Sequence, residues 1–326
     1  MDEIPHERVE ATGSFNSPIT QSNIPQRFTE IDDIKFITRP CNKLTNTVAQ
    51  SLYPLSQVPG NKLYLSTIEV LKDYIKPLQN KEYQSVHLIR QRGVFDAVKT
   101  LLWDKHRKFK HNYIAAYVDS DAGTATDICS AHIRVSPHNW IKVEDIEPTT
   151  IIDAVRMRTF KKIQLFTAEA NNACELNTIL LTAAALPYAA NAVAAISTHY
   201  FTSKSITALY IFARMFKKLH LILPEAGDDI WIVGVGYSNA RPAANVDDLS
   251  ALTFDDDKFV KFVYEFLTNV NAVREAKNKF IKHVVSKYAD KTGPKFIPDM
   301  IMDDIQFNYR DAIAEISHAW RAKYGV

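Results

Sequence analysis

The chain has 326 residues, and its 39 Lys and Arg against 37 Asp and Glu give a formal net charge of +2 at pH 7. Apolar residues make up 46% of it and charged residues 23%, which is ordinary for a soluble globular protein. So small a net charge excludes a strongly basic or acidic protein, and any nucleic-acid surface would have to be local. No stretch approaches 18 consecutive apolar residues, so no membrane span is predicted.

Cysteine and glycine usage exclude further classes of site. Cys41, Cys129 and Cys174 are far apart, with no CxxC pair and no metal-ligand spacing, so they are predicted to be free thiols in a reducing compartment, and no metal site is predicted. Only 9 residues are Gly, although phosphate-binding and nucleotide-binding loops need glycine. The chain contains no P-loop, GxSxG or HExxH motif.

The first part of the chain, residues 1–55, is rich in Ser, Thr, Asn, Gln and Pro and has no sustained apolar period. It is predicted to be an extended polar arm, which is either an unstructured tail or a segment that becomes ordered by docking on another surface. Two further regions are predicted after it. Residues 56–254 form an α/β domain, and residues 255–326 form a C-terminal helical extension.

Within the α/β domain, apolar strands alternate with amphipathic helices. The predicted strands are SVHLI, YIAAYVDSD, KIQLFTAEA, AAISTHYF, KLHLIL and IWIVGVGY. The predicted helices are LYLSTIEVLKDYIKPL, GVFDAVKTLLWDKHRKF, TTIIDAVRMRTF, ACELNTILLTAAALPYAANAV and SKSITALYIFARMF. Such alternation indicates βαβ units and a mostly parallel, doubly wound sheet. The last two strands have no helix between them, so they should pair as an antiparallel hairpin at one edge.

In an open parallel sheet, ligands bind at the carboxyl ends of the strands. KIQLFTAEA, RMFKKLHLILPEAG and DIWIVGVGY resemble the corresponding strands of FtsJ-type RNA 2′-O-methyltransferases, the family that includes viral cap methyltransferases. The resemblance covers roughly residues 65–240 and is more specific in its second half. It implies a seven-stranded sheet that ends in a β-hairpin and a pocket for S-adenosylmethionine.

That family carries a Lys-Asp-Lys-Glu tetrad, in which the second Lys takes the proton from the ribose 2′-hydroxyl. Matched position by position, the resemblance places the tetrad at Lys72 or Lys76, Glu169, Thr198 and Asp229. Both acids are kept, but a threonine hydroxyl stands where the general base should be and cannot replace an amine. His199 and Lys204 are alternative bases, although His199 should point to the opposite face of its strand from Thr198.

The predicted cofactor site is altered as well. The loop after the first parallel strand has a single glycine, Gly93, and carries Arg90, Gln91 and Arg92, whose side chains would crowd a cofactor. Asp119 follows the next strand, where an acid often holds the ribose hydroxyls of the cofactor. The alternative interpretation of Asp119 is a strand-end turn or helix-cap residue.

Basic residues define a candidate RNA surface. The Arg90 and Arg92 guanidinium groups either contact phosphate or are solvated in a loop. The segment WDKHRKFKHNY contains Lys105, Arg107 and Lys108 close to aromatic residues, which is typical of nucleic-acid contacts but also of the solvated end of a helix.

Three functional hypotheses follow. The first is a catalytically inactive methyltransferase relative that serves as an RNA-binding, stimulatory or structural subunit of a viral capping or virion assembly, with a capping enzyme or capsid protein as its partner through residues 1–55. The second is an active S-adenosylmethionine-dependent cap 2′-O-methyltransferase with a rearranged base. The third is a purely structural virion protein. All three predict a cytoplasmic or virion location and no membrane partner.

Overall fold

The computed structural model describes residues 5–12, 15, 20–21, 62–75, 82–90, 92–103, 110–118, 134–143, 148–157, 162–199, 201–238, 252–254, 256–292 and 318–324. Its strands are β1 (Glu7–Thr12), β2 (Thr20–Gln21), β3 (Glu82–Ile89), β4 (Lys110–Val118), β5 (Trp140–Val143), β6 (Ile163–Ala170), β7 (Tyr188–Thr198), β8 (Phe216–Leu223), β9 (Ile230–Tyr237) and β10 (Leu252–Thr253). Its helices are α1 (Lys62–Ile75), α2 (Arg92–Trp103), α3 (Pro148–Met157), α4 (Ala173–Ala185), α5 (Ser203–Arg214) and α6 (Asp257–Thr292), and residues 318–324 are also helical.

The fold is α/β, as predicted, with a mixed sheet of eight strands in the order β1-β8-β9-β7-β6-β3-β4-β5. Strands β3 to β8 run in one direction, while β9 and β1 run in the other. The prediction of seven strands is wrong, because Glu7–Thr12 of the polar arm adds an eighth strand beside β8. For the same reason the β8–β9 hairpin does not lie at the edge of the sheet.

Strand β1 escapes prediction because its residues alternate only between intermediate burial and exposure, so its sequence has no apolar stripe. The carboxylate of Glu10 in this strand instead pairs with basic side chains of β8. Glu10 accepts a hydrogen bond from Lys218 at 2.7 Å, and its carboxylate lies 3.5 Å from His220. Charged residues on an outer strand also discourage pairing with further strands.

The sheet is covered on both faces, because each face carries its own apolar cluster. The larger cluster joins one face to buried residues of α3, α4, α5 and α6, including Phe259 and Phe266. The smaller cluster joins the other face to α1, α2 and Trp320. Helix α6 therefore packs into the core of the sheet domain. No helix among the described residues has both the length and the apolarity that crossing a bilayer requires.

Strand order reverses between β3 and β6. From β3 the chain proceeds outward through β4 and β5, and it then returns to the opposite side of β3 with β6. The crevice at the carboxyl ends of β3 and β6 is consequently the place where a doubly wound fold binds its ligand.

Candidate functional site

The connection from β3 to α2 is short. Strand β3 ends at Ile89 and α2 begins at Arg92, so only Arg90 and Gln91 lie between them. Gly93, predicted in a cofactor loop, is the second residue of α2 and is buried. Gly93 therefore lies in a helix rather than in a loop.

An ion pair spans the switch point. The Arg90 guanidinium group, which follows β3, donates to Oε1 of Glu175 in the first turn of α4, the helix that follows β6. The Glu175 side chain is 8% exposed and that of Arg90 is 19% exposed. The pair therefore joins the two elements that border the crevice.

The backbone donors at the start of α4 are also satisfied from within the protein. Asn172 caps the helix, with its Oδ1 accepting from the Glu175 N–H at 2.9 Å. Glu175 Oε2 accepts from the Asn171 N–H at 2.6 Å. The N–H groups with which a helix N-terminus could bind an anionic ligand are thus partly used by protein acceptors.

The register of β6 and β7 changes the predicted tetrad geometry. Glu169 pairs with Ser197, whereas Thr198 pairs with Ala170. Paired residues of neighbouring strands share a face of the sheet, and consecutive residues alternate between faces. Glu169 and Thr198, both buried, therefore lie on opposite faces, and Ser197 is the neighbour of Glu169.

Asp229 joins this cluster at the carboxyl end of the sheet. Its Oδ2 accepts a hydrogen bond from Ser197 Oγ at 3.1 Å, and its Oδ1 lies 2.8 Å from His199 Nδ1. The hydrogen bond to Asp229 raises the pKa of His199 from its ordinary value, although partial burial opposes this. With Nδ1 donating to the carboxylate, Nε2 is the ring nitrogen that can take up a proton.

Charged side chains fasten the β8–β9 connection, residues 224–229, in place. The buried carboxylate of Glu69 in α1 accepts the N–H groups of Glu225 and Ala226 at 2.7 and 3.2 Å. Burial, together with the Glu225 charge, raises the pKa of Glu69. From α6, Lys277 donates to the carbonyls of Pro224 and Gly227, and Arg274 donates to that of Asp228.

Lys72, predicted as the first tetrad residue, contacts the C-terminal segment. Its Nζ donates to the backbone carbonyl of Tyr324 and lies 3.5 Å from that of Lys323. Of the predicted site residues, the structure thus brings Glu169 and Asp229 to one edge of the sheet, where Ser197 lies beside each of them.

Several predicted residues lie outside the described part of the chain. These are Lys76, Gln91, Lys105, Arg107, Lys108 and Asp119, together with the side chains of Arg92 and Lys204. Their predicted roles stay predictions.

Sequence reasoning missed Ser197, Glu175, Glu69 and Lys277. The spacing Asn172-x-x-Glu175 is a capping-box pattern that could have indicated the start of α4 and the inward direction of Glu175. Glu69 is an acid flanked by Ile68 and Val70 in a predicted helix, a position at which a buried carboxylate needs a partner. The partners of Ser197 and Lys277 depend on register and tertiary packing, for which the sequence contains no comparable signal.

Comparison with known proteins adds little to this geometry. No protein-family model and no curated protein matches the chain. One similar solved structure is MnmC2 from Aquifex aeolicus, with 12% identity and a TM-score of 0.35 over 66% of this chain and 77% of that chain. Another is a Plasmodium falciparum protein described as a protein-L-isoaspartate O-methyltransferase in complex with S-adenosyl-L-homocysteine, with 8% identity and a TM-score of 0.30 over 67% and 98%. Similarities this low carry no argument about function.

Proposed function

We propose that this chain is a catalytically inactive protein with a methyltransferase-like fold, which serves as an RNA-binding, stimulatory or structural subunit of a viral capping or virion assembly. The observation that carries the inactivity is the Arg90–Glu175 ion pair, which lies where the fold would bind its cofactor. The viral and capping context rests on the sequence resemblance alone.

Two features make the ion pair a strong obstacle to a cofactor. The Glu175 carboxylate is almost buried, so a ligand that displaced Arg90 would leave this charge without its cationic partner, at a cost of about 2 kcal/mol. The short β3–α2 connection also leaves little backbone that could rearrange around a ligand. Binding of S-adenosylmethionine would therefore have to offset the loss of the ion pair before it gained any affinity.

Calorimetric titration of the full chain with S-adenosylmethionine is expected to give no binding heat at millimolar cofactor. Arg90→Ala should lower the free energy of unfolding by about 2 kcal/mol, because it leaves the Glu175 carboxylate unpaired. The matched control is Arg156→Ala, which breaks the exposed Arg156–Asp153 pair and should cost less than about 0.5 kcal/mol. Saturable cofactor binding by the unmodified chain would disprove the proposal.

For the RNA-binding role, the proposed contacts are the basic residues Lys105, Arg107 and Lys108. Lys105→Ala with Lys108→Ala should weaken binding to capped RNA and lower the slope of log affinity against log salt by about 1.4, since each single-strand phosphate contact contributes roughly 0.7. The control is Lys258→Ala with Lys279→Ala, which removes the same charge from exposed positions of α6. Equal slopes for the two double variants would rule out this segment as the RNA surface.

A second candidate function, the active 2′-O-methyltransferase, is favoured by one observation. His199 is held by Asp229 at 2.8 Å with its pKa raised, which is the arrangement of an oriented general base. In this function His199 would accept the ribose hydroxyl proton, while S-adenosylmethionine would supply the methyl group.

The raised pKa of His199 allows a direct test of that candidate. Transfer of labelled methyl from S-adenosylmethionine to capped RNA should be abolished in His199→Ala. In Asp229→Asn, an NMR titration should show the His199 pKa lowered, because the main stabilisation of the imidazolium is removed. If His199 is the general base, the rate of methyl transfer must rise as the pH is raised and His199 loses its proton. The active-enzyme function is excluded if the unmodified chain transfers no methyl group.

A further inference from the structure

Strand β1 forms one edge of the eight-stranded sheet. One side of β1 pairs with β8, and none of the described strands pairs with its other side. The backbone N–H and C=O groups along that outer side form a row to which a further strand can add. With six residues, β1 is longer than β5, the four-residue strand at the opposite edge. It therefore offers the longer row for a partner strand.

The charged side chains of β1 form a pattern that is complementary to itself. Arg8 donates to the Tyr74 hydroxyl of α1, and Glu10 accepts from Lys218 on the same face of the sheet. The Arg8 and Glu10 side chains stay 40% and 36% exposed, so each has room for a further partner at the edge. Val9, between them, lies on the other face and packs against the larger apolar cluster.

Hydrogen bonding restricts how a second β1 strand pairs with this edge. In an antiparallel pair, two opposite residues direct their N–H and C=O groups either toward each other or both away. Two copies of one strand satisfy this only in registers centred on a residue. Centring on Arg8 or on Glu10 sets like charges opposite each other, which is destabilising. Centring on Val9 sets Arg8 of each copy opposite Glu10 of the other, and registers centred further out pair fewer residues.

We propose that the outer edge of β1 is a homodimer interface, at which β1 pairs antiparallel with β1 of a second copy in the register centred on Val9. The sheet then continues through both copies, with the two-fold axis between the two Val9 residues. The charges that discourage pairing with other strands select this partner, because the same two residues supply both members of each ion pair.

This interface goes beyond the proposed function. Strands β8, β9 and β7 separate β1 from β6, so the dimer leaves the crevice beside β6 away from the contact between the copies. The proposal therefore holds whether or not the cofactor or RNA binds.

Charge reversal tests the pairing. The full chain should show a monomer–dimer equilibrium in sedimentation analysis, and Arg8→Glu or Glu10→Arg alone should weaken dimerisation at least about tenfold, because each sets like charges opposite each other twice. An equimolar mixture of these two variants should dimerise at least about tenfold more tightly than either alone, since every cross-strand pair of the heterodimer is again of opposite charge. The control Arg156→Glu, at an exposed position of α3, should dimerise like the unmodified chain.

Cross-linking tests the register with both charges in place. In a chain whose three native cysteines are replaced by serine, Val9→Cys should form a disulfide-linked dimer under mild oxidation, because Val9 faces its own copy. Ala11→Cys is the matched control, since Ala11 faces Glu7 and lies about 13 Å from its own copy, beyond the reach of a disulfide.

Three results would each overturn the homodimer. The first is a full chain that stays monomeric at about 0.1 mM, which would assign the edge of β1 to another segment or another protein. The second is a mixture of the two charge-reversed chains that dimerises no better than either alone. The third is Ala11→Cys cross-linking as readily as Val9→Cys.

Discussion

Acidification from about pH 7 to about pH 4 is expected to destabilise the protein by roughly 3 kcal/mol through two histidines of the sheet. His87 in β3 is completely buried, with Nε2 2.7 Å from Ser85 Oγ and Nδ1 2.7 Å from Thr167 Oγ1. His111 in β4 reaches the same Ser85 hydroxyl through its Nε2, also at 2.7 Å. The network is composed of neutral hydrogen-bonding groups.

Burial is the main reason that both histidines resist protonation. It lowers the pKa of His87 well below 6.5, with a further contribution from His111. It lowers the pKa of His111 to about 4, with a further contribution from Lys99 of α2. Aromatic rings surround the pair, with Phe95 5.3 Å from His87 and Tyr113 5.1 Å from His111, centroid to centroid.

The sign of the pH dependence follows from these lowered values. Between the pKa of the unfolded chain and that of the folded chain, the unfolded state binds more protons, so stability falls as the pH drops through this range. For His111 the range extends from 6.5 down to about 4, which corresponds to about 3 kcal/mol at roughly 1.4 kcal/mol per unit. His87 contributes with the same sign.

Urea unfolding at several pH values between these limits measures the effect. His111→Gln should remove much of the pH dependence, whereas His138→Gln, at an exposed position, should leave it unchanged. If the stability of the His111→Gln chain fell with pH as steeply as that of the unmodified chain, the histidine network would not be the cause.

The alternation of apolar strands and helices was sufficient to predict the α/β class and strands such as IWIVGVGY, which is β9 as observed. It failed where local preference and tertiary packing disagree. The stretch PYAANAV was predicted to continue a helix because alanine favours helices, yet α4 ends at Ala185 and β7 begins at Tyr188. In that strand the alanines are accommodated between covering helices.

The candidate site depended on details that a single sequence does not contain. Whether Ser197 or Thr198 faces Glu169 is decided by a shift of one residue, which reverses every side chain of the strand. The Arg90–Glu175 pair joins residues 85 positions apart. Strand ends could therefore be predicted, whereas the pairing of charges across them required the tertiary structure.

Replacement of Lys277 by methionine is expected to lower the free energy of unfolding by about 3 kcal/mol. Lys277 is 2% exposed, and its ammonium group donates hydrogen bonds to the carbonyls of Pro224 and Gly227. Methionine has a similar shape but no donor, so these carbonyls would lose their partner in a dry environment. The Glu69 carboxylate would also lose a positive charge that lowers its pKa.

Urea unfolding of Lys277→Met measures this loss, and Lys279→Met, at an exposed position of the same helix, is the matched control that should change stability by less than about 0.5 kcal/mol. Hydrogen exchange at residues 224–229 should rise in Lys277→Met alone. Equal stability of the two variants would show that Lys277 does not hold this connection.

A double variant distinguishes two accounts of why these charges are buried. If Lys277 and Glu69 mainly neutralise each other, removal of both should cost no more than removal of either one. The hydrogen bonds favour a different account, because Glu69 accepts the N–H groups of Glu225 and Ala226 while Lys277 donates to the carbonyls on either side of them. Each side chain then serves the backbone separately. Lys277→Met with Glu69→Leu should therefore be less stable than either single variant, and Asp229, in the same connection, should lose its fixed position beside Ser197 and His199.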